Sequence, residues 1–226
     1  MSPLLFDELL KICIILFVVL TVVIISRRNL ISLIDTYAIL SFVLSIIAFI
    51  FFLAERSDVF LYTAILTIIS KSIFIPILLK KTQKNMKIYT DVDYHYLQPI
   101  SSIFLSLLII ISGFFIFANV KSFLGLSPFY YFGVIMGFSL VLIGFMIIFS
   151  RRKIITKIIG YLIMENGVVL LSLFIGEMPL LIEVLVLMDL LVLVAIISIL
   201  GFGMDSSMTE FHKRLNPFHQ WIRGKG

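Results

Sequence analysis

Seven apolar runs, each close to the roughly 20 residues that a helix needs to cross a bilayer, constrain this chain more than any other feature. Backbone N–H and C=O groups in lipid must find hydrogen-bond partners within their own segment, so such runs are expected to be helices. The sequence therefore predicts an all-α, polytopic membrane protein with about seven transmembrane helices. The runs cover residues 4–26, 33–53, 58–79, 99–120, 128–150, 154–175 and 179–200.

The composition agrees with a membrane protein and excludes a soluble domain. Hydrophobic residues make up 61% of the 226 positions and charged residues only 14%, and the mean hydropathy is +1.18, which is far above soluble globular domains. The first run is expected to stay as a span, because Asp7 and Glu8 stand where a signal peptide has basic residues. We expect a multi-pass protein of the cytoplasmic membrane.

The distribution of Lys and Arg predicts the orientation. In a seven-span arrangement fourteen basic residues fall on one side and three on the other. Basic loops face the cytoplasm, so the N-terminus is expected outside and the C-terminus in the cytoplasm. The net charge of +5 is thereby explained without a nucleic-acid partner. The larger group is Arg27, Arg28, Lys80, Lys81, Lys84, Lys87, Arg151, Arg152, Lys153, Lys157, Lys213, Arg214, Arg223 and Lys225, and the smaller is Lys11, Arg56 and Lys121.

A faint internal repeat suggests how the chain is organised. The segment Ser-Arg-Arg at 26–28, with Tyr37 after it, recurs as Ser-Arg-Arg at 150–152 with Tyr161, at a constant offset of 124 residues. Two parallel three-helix units linked by the fourth helix would have this pattern, and chance similarity of two basic turns is the alternative. The predicted units are a three-helix unit with its following loop (1–98), a linking helix (99–127), a second three-helix unit (128–203) and a cytoplasmic basic and aromatic tail (204–226).

Four ionisable residues lie inside the apolar runs, namely Lys71, Glu165, Glu183 and Asp189. A charge at bilayer depth costs several kcal/mol unless it is paired, neutralised or hydrated, so these residues predict a proton or ion pathway. Asn166 follows Glu165 and is a candidate interhelical hydrogen-bonding residue that supports the pathway. A structural ion pair is the competing interpretation.

Helix geometry gives the expected depth of each charge. Glu165 lies about 17 Å from the cytoplasmic start of its run, close to the bilayer centre, and Asp189 reaches nearly the same level. Lys71 is expected in the cytoplasmic half. Glu183 is only about 6 Å from the outer end of its helix and is turned roughly 120° from Asp189, so it can simply reach water.

The sequence offers no catalytic, cofactor-binding or metal site of its own. A single cysteine, Cys13, excludes an intrachain disulfide and a Cys-ligated iron–sulfur cluster. His95, His212 and His219 all fall in predicted loop or tail segments, which leaves no intramembrane bis-histidine haem site. Any redox centre must then belong to another chain.

Two C-terminal segments resemble a known family. The stretch IGYLIMENGV at 159–168, followed by MPLLIEVLVLMD at 178–189, is similar to the membrane component E of hydrogenase-4. The last three helices of that family are similar to the K subunit of respiratory complex I and to the C subunit of multisubunit sodium/proton antiporters. The resemblance is carried by these motifs over the C-terminal third. Over the rest of the chain it is carried by the length, the number of helices and the Lys71 segment.

The resemblance implies a role within a complex. Such subunits lie between antiporter-like membrane subunits and the arm that holds the metal centres in membrane-bound hydrogenases, including formate hydrogenlyase-type complexes. The implied partners are antiporter-like subunits, a quinone-site-like membrane subunit and soluble hydrogenase subunits with nickel–iron and iron–sulfur centres. Glu165 and Glu183 stand for the two intramembrane glutamates of the K-type fold, although Glu165 falls one helical turn after the expected position near Leu162.

The expected function is therefore that of a non-redox subunit of an ion-pumping oxidoreductase complex, not a free-standing enzyme. The alternative is a stand-alone small-solute transporter with two parallel three-helix repeats, although such sites are mostly uncharged. A retinal-type photoreceptor needs a lysine in its seventh helix, where this chain has none. An assembly scaffold whose charges only pair with neighbours is the third possibility.

Overall fold

The computed structural model describes residues 3–27, 29–86, 99–118, 128–151, 153–175, 188–189 and 191–196, and every regular element in these ranges is a helix. Residues 188–189 and 191–196 are also helical. A π-helical segment, Thr67–Phe74, joins α3 to α4 without a break. The α-helices are α1 (Pro3–Ser26), α2 (Leu30–Glu55), α3 (Asp58–Leu66), α4 (Ile75–Met86), α5 (Pro99–Ala118), α6 (Pro128–Ser150) and α7 (Ile154–Ile175).

Five helical stretches in the described part are long and apolar enough to cross a membrane. The prediction of a helical membrane protein is confirmed at this level. A shorter apolar helix, Ser101–Phe117, lies within α5. Most of the predicted last run, with Glu183, and the whole tail at 204–226 lie outside the described residues. The five stretches are Phe6–Ser26, Leu30–Glu55, Asp58–Lys84, Tyr130–Ser150 and Ile154–Ile175.

Contacts at the helix ends fix the relative directions of the helices. The Arg151 guanidinium donates a hydrogen bond from Nη2 to the carbonyl of Ile25 at 3.0 Å, so α1 and α6 end at the same end of the bundle. The Tyr130 hydroxyl donates to Glu55 Oε1 at 3.4 Å, which places the end of α2 beside the start of α6 at the other end. α1 and α6 therefore run in the same direction, and α2 runs in the opposite direction.

One end of the bundle carries most of the described basic residues. Lys80 in α4 forms an ion pair with Asp35 in the second turn of α2, so the end of α4 lies beside the start of α2. Arg151 lies at the same end through its bond to α1. We call this end the basic end. It also carries Arg27, Lys81, Lys84, Lys153 and Lys157, which belong to the same turns and helix ends.

Glycines bring α6 and α7 into backbone contact. A Cβ atom added at Gly144 would lie 2.5 Å from the backbone nitrogen of Met164, and one added at Gly167 would lie 2.7 Å from that of Val141. Small residues of this kind let membrane helices approach closely and pack by van der Waals contact. Because both contacts flank Glu165, the α6–α7 pair holds that residue in a fixed position.

Large apolar side chains cover the outside of the bundle as well as its interior. In a bilayer such side chains face lipid and carry no penalty of exposure, because lipid tails are as apolar as leucine. Tyr37, Phe51 and Phe174 are buried inside the bundle. The most exposed apolar side chains include Ile12, Ile15, Tyr62, Phe104, Phe115 and Phe149.

The π-helical segment Thr67–Phe74 has a cause in the sequence. The N–H of Ile75 donates to the carbonyl of Ser70, five residues earlier. The next residue, Pro76, has no N–H, and its ring crowds the carbonyl of Ser72 in a regular α-helix. A wider turn relieves that crowding. A proline inside a helix commonly kinks or ends it, whereas this helix widens at Pro76 and continues as α4 to Met86.

Candidate functional site

Three of the four ionisable residues predicted inside the membrane meet in one buried cluster. Lys71 Nζ lies 2.9 Å from Glu165 Oε1 and 4.0 Å from Asp189 Oδ1. The side chains are 1%, 5% and 9% exposed in that order. We call Lys71, Glu165 and Asp189 the buried charge cluster. Glu183, the fourth predicted residue, lies outside the described residues.

The π-helical segment supplies two neighbouring residues to the cluster. Lys71 reaches Glu165, and the Ser70 hydroxyl donates a hydrogen bond to Asp189 Oδ2 at 2.6 Å. A π-helix has more residues per turn than an α-helix, so successive side chains diverge less in direction. This local geometry turns both Ser70 and Lys71 toward the two carboxylates. Single π-helical turns inside longer helices are frequently found at functional sites.

Lys71 and Glu165 lie near the middle of their helical stretches. Glu165 is eleven residues into α7, about 17 Å from the basic end, as the sequence predicted. Lys71 is thirteen residues from either end of the span Asp58–Lys84, about 20 Å from each. Its helix extends past the predicted end at residue 79, to Met86. Lys71 lies at the level of Glu165, which it contacts, and its expected place in the cytoplasmic half stays a prediction.

Asn166 connects the two repeat-related helices beside the cluster. Its side-chain nitrogen donates a hydrogen bond to Ser41 Oγ at 2.9 Å, which joins α7 to α2, and Asn166 is fully buried. Ser41 and Glu165 are separated by 124 residues, the offset of the sequence repeat. Ser41, which the repeat offset pairs with Glu165, thus lies beside the charge cluster through its bond to Asn166.

Two tyrosines that the sequence analysis did not assign to the site also surround the cluster. Tyr37 is fully buried, and both Glu165 and Asp189 act on its hydroxyl electrostatically. Its hydroxyl lies near Ser41, in a geometry that makes no hydrogen bond with the described residues. Tyr161 lies near the same two carboxylates. The signal that could have identified both tyrosines was their recurrence at the repeat offset.

Tyr161 also fixes the helical residues that carry Asp189. Its hydroxyl lies 2.6 Å from Met188 Sδ, to which it donates a hydrogen bond. Met188 directly precedes Asp189, so this contact and the bond from Ser70 hold Asp189 from two directions. The carboxylate of Asp189 is therefore positioned by α7 on one side and by the π-helical segment on the other.

The formal charges of the cluster do not cancel. One ammonium and two carboxylates have a formal net charge of −1 when all three are ionised. Removing one partner of a buried ion pair leaves an uncompensated charge, which costs about 3–5 kcal/mol. The described residues contain no group of three or more His, Cys, Asp or Glu side chains that could hold a metal ion.

Comparison of the chain with protein-family models, with curated proteins and with solved structures finds no match. The buried charge cluster is therefore the main guide to function. In this cluster the ammonium of one long side chain contacts two acids at the same level.

Proposed function

We propose that the chain is a non-redox membrane subunit of an ion-pumping, hydrogenase-type oxidoreductase complex. The single observation that supports this most is the contact of Lys71 with Glu165 and Asp189 at mid-span. A bundle that needs only stability does as well or better with apolar residues of similar volume at such positions. Ionisable residues inside a membrane are otherwise typical of ion pathways and proton relays.

The sequence resemblance supplies the kind of complex. Similarity to component E of hydrogenase-4 supports antiporter-like membrane subunits, a quinone-site-like membrane subunit and soluble hydrogenase subunits as partners. The nickel–iron and iron–sulfur centres belong to those partners. In this proposal the chain has seven spans, with the N-terminus outside and the basic end on the cytoplasmic side of the cell membrane.

In this proposal the cluster transmits charge because the Lys71 ammonium changes its partner from Glu165 to Asp189. When Glu165 takes up a proton, it loses the charge that holds the Lys71 ammonium at its present distance. Asp189 then remains as the charged neighbour, and the ammonium moves toward it. Release of the proton returns Lys71 to Glu165. Each cycle moves a positive charge inside the membrane, where the low dielectric makes its effect on neighbouring subunits strong.

A stand-alone small-solute transporter is the second candidate, favoured by one observation. The Asn166–Ser41 hydrogen bond joins the two helices that follow the repeated Ser-Arg-Arg turns, as expected for two parallel three-helix units around a central axis. The three charges at the same place argue against it, because an ion pair with no free space between its members leaves little room for a solute.

Purification of the complex through this chain separates the two candidates. A tagged chain extracted in mild detergent should bring antiporter-like membrane proteins and a soluble hydrogenase, with nickel and iron present by elemental analysis. A tagged unrelated polytopic protein from the same membranes serves as the control. Recovery of the chain alone, with no nickel or iron above the control, would contradict the proposal and favour the transporter.

A further inference from the structure

We infer that the buried charge cluster binds one proton, shared by Glu165 and Asp189, and excludes alkali cations. The inference rests on the proposed function and names the ion that the cluster handles. The position of the Lys71 ammonium between the two carboxylates determines this choice.

The Lys71 ammonium occupies the place that an alkali cation would need. A sodium ion exchanges its hydration shell only for several oxygen atoms at close range. The nearest carboxylate oxygens are Glu165 Oε1 and Asp189 Oδ1, and both already face Lys71 Nζ. A second cation at the same oxygens would lie within a few ångströms of the ammonium. In a medium of low dielectric, the repulsion between two such charges is strong.

A proton does not need several oxygen ligands, and its addition makes the cluster electrically neutral. Two carboxylates and one ammonium carry a net −1 when ionised, and one added proton makes the cluster neutral. Burial favours the neutral form, because an uncompensated charge away from water is costly. Like charges on neighbouring carboxylates also favour a single shared proton.

Two carboxylate oxygens are available for that proton. Glu165 Oε2 is buried and has no hydrogen-bond partner among the described residues. Asp189 uses Oδ2 to accept a hydrogen bond from Ser70. Its Oδ1 lies 4.0 Å from Lys71 Nζ, too far for a hydrogen bond, and has no hydrogen-bond partner among the described residues. The two carboxyl groups are close enough to interact directly with each other. A proton held by one carboxyl group can therefore be shared with the other.

The other groups around the cluster do not supply a competing charge. Among the described residues, Lys71 and Asp189 are the charged groups that act on Glu165. Tyr37 from α2 and Tyr161 from α7 are the further titratable groups that face the carboxylates. Both are phenols, which are neutral at physiological pH. The proton balance of the site is therefore set by the two acids and the lysine.

Infrared spectroscopy of the purified full-length chain in lipid tests this inference directly. A protonated carboxylic acid has a C=O stretching band that an ionised carboxylate lacks. We expect a band of this type that disappears as the pH rises, that is lost in Glu165→Gln, and that stays unchanged in the exposed control Glu8→Gln. Replacing potassium chloride with sodium chloride at constant pH should leave the wild-type band unchanged.

A second variant tests the role of the ammonium. In Lys71→Gln the space between the acids is open to a cation, so sodium should now reduce the band at constant pH. A wild-type chain without the band at any pH, or a wild-type band that sodium removes, would overturn the inference. Insensitivity of Lys71→Gln to sodium would refute the claim that the ammonium excludes cations. None of these infrared measurements needs a partner subunit or hydrogenase activity. The inference can therefore fail while the proposed function stands.

Discussion

Replacing Lys71 with methionine removes the ammonium that lies between Glu165 and Asp189 and keeps a side chain of similar length. Two buried carboxylates are then left without a cation, and we expect the free energy of unfolding to fall by about 3–5 kcal/mol, as for other broken buried pairs. Glu165→Gln should cost less, because Lys71 keeps Asp189 as a neighbour 4.0 Å away. Lys71→Met is therefore expected to be more destabilising than Glu165→Gln, because of the charges and not the size of the side chains.

A double-mutant cycle in mixed detergent micelles, with helix content followed by circular dichroism, measures this prediction. The double variant Lys71→Met with Glu165→Gln leaves a single buried acid, Asp189, and should be less destabilised than the sum of the two single variants. A coupling energy of about 1 kcal/mol or more is expected for residues in one ion-pair network. Additive effects, or a larger loss in Glu165→Gln than in Lys71→Met, would refute the reasoning.

Three further predictions concern the scaffold around the cluster. Gly144→Val inserts a side chain where a Cβ already meets the Met164 backbone, so we expect a loss of about 1–3 kcal/mol, measured by thermal unfolding, whereas Phe145→Val at the exposed neighbouring position should change little. Pro76→Ala restores the missing N–H and favours a regular α-helix. It should raise the thermal midpoint while lowering redox-driven pumping, and unchanged pumping would contradict a role for the π-helical segment. Reporter fusions after Lys225 should be cytoplasmic and those after Arg56 extracytoplasmic, and an extracytoplasmic signal after Lys225 would rule out the seven-span arrangement.

The sequence predicted the five long apolar helical stretches of the described residues, because an apolar run of about 20 residues has one stable solution in lipid. The end of the third helix was predicted less well, at residue 79, where the apolar run gives way to Lys80 and Lys81. Helical hydrogen bonding does not depend on apolar side chains, so the helix continues in the polar region to Met86. Long lysine side chains at such an end reach water easily.

The charged residues of the candidate site were predicted, but Ser70, the two tyrosines and the geometry of the site were not. Lys71, Glu165 and Asp189 stand out in sequence because charges are rare in apolar runs. Their contact depends on the rotation of each helix about its axis, which uniformly apolar runs do not determine. It also depends on the π-helical segment, for which Pro76 is the only signal in the sequence. The close α6–α7 packing through Gly144 and Gly167 also requires knowledge of which helices are neighbours.

The most direct measurement of the central claim is redox-driven ion pumping by the assembled complex in sealed membrane vesicles, compared between wild type and Glu165→Gln. Glutamine keeps the size and hydrogen-bonding capacity of Glu165 but cannot titrate. We predict normal assembly and redox turnover with loss of pumping in Glu165→Gln, weaker pumping in Asp189→Asn, and wild-type pumping in the control Glu8→Gln. Full pumping by a normally assembled Glu165→Gln complex would contradict the account and leave the cluster with a purely structural role.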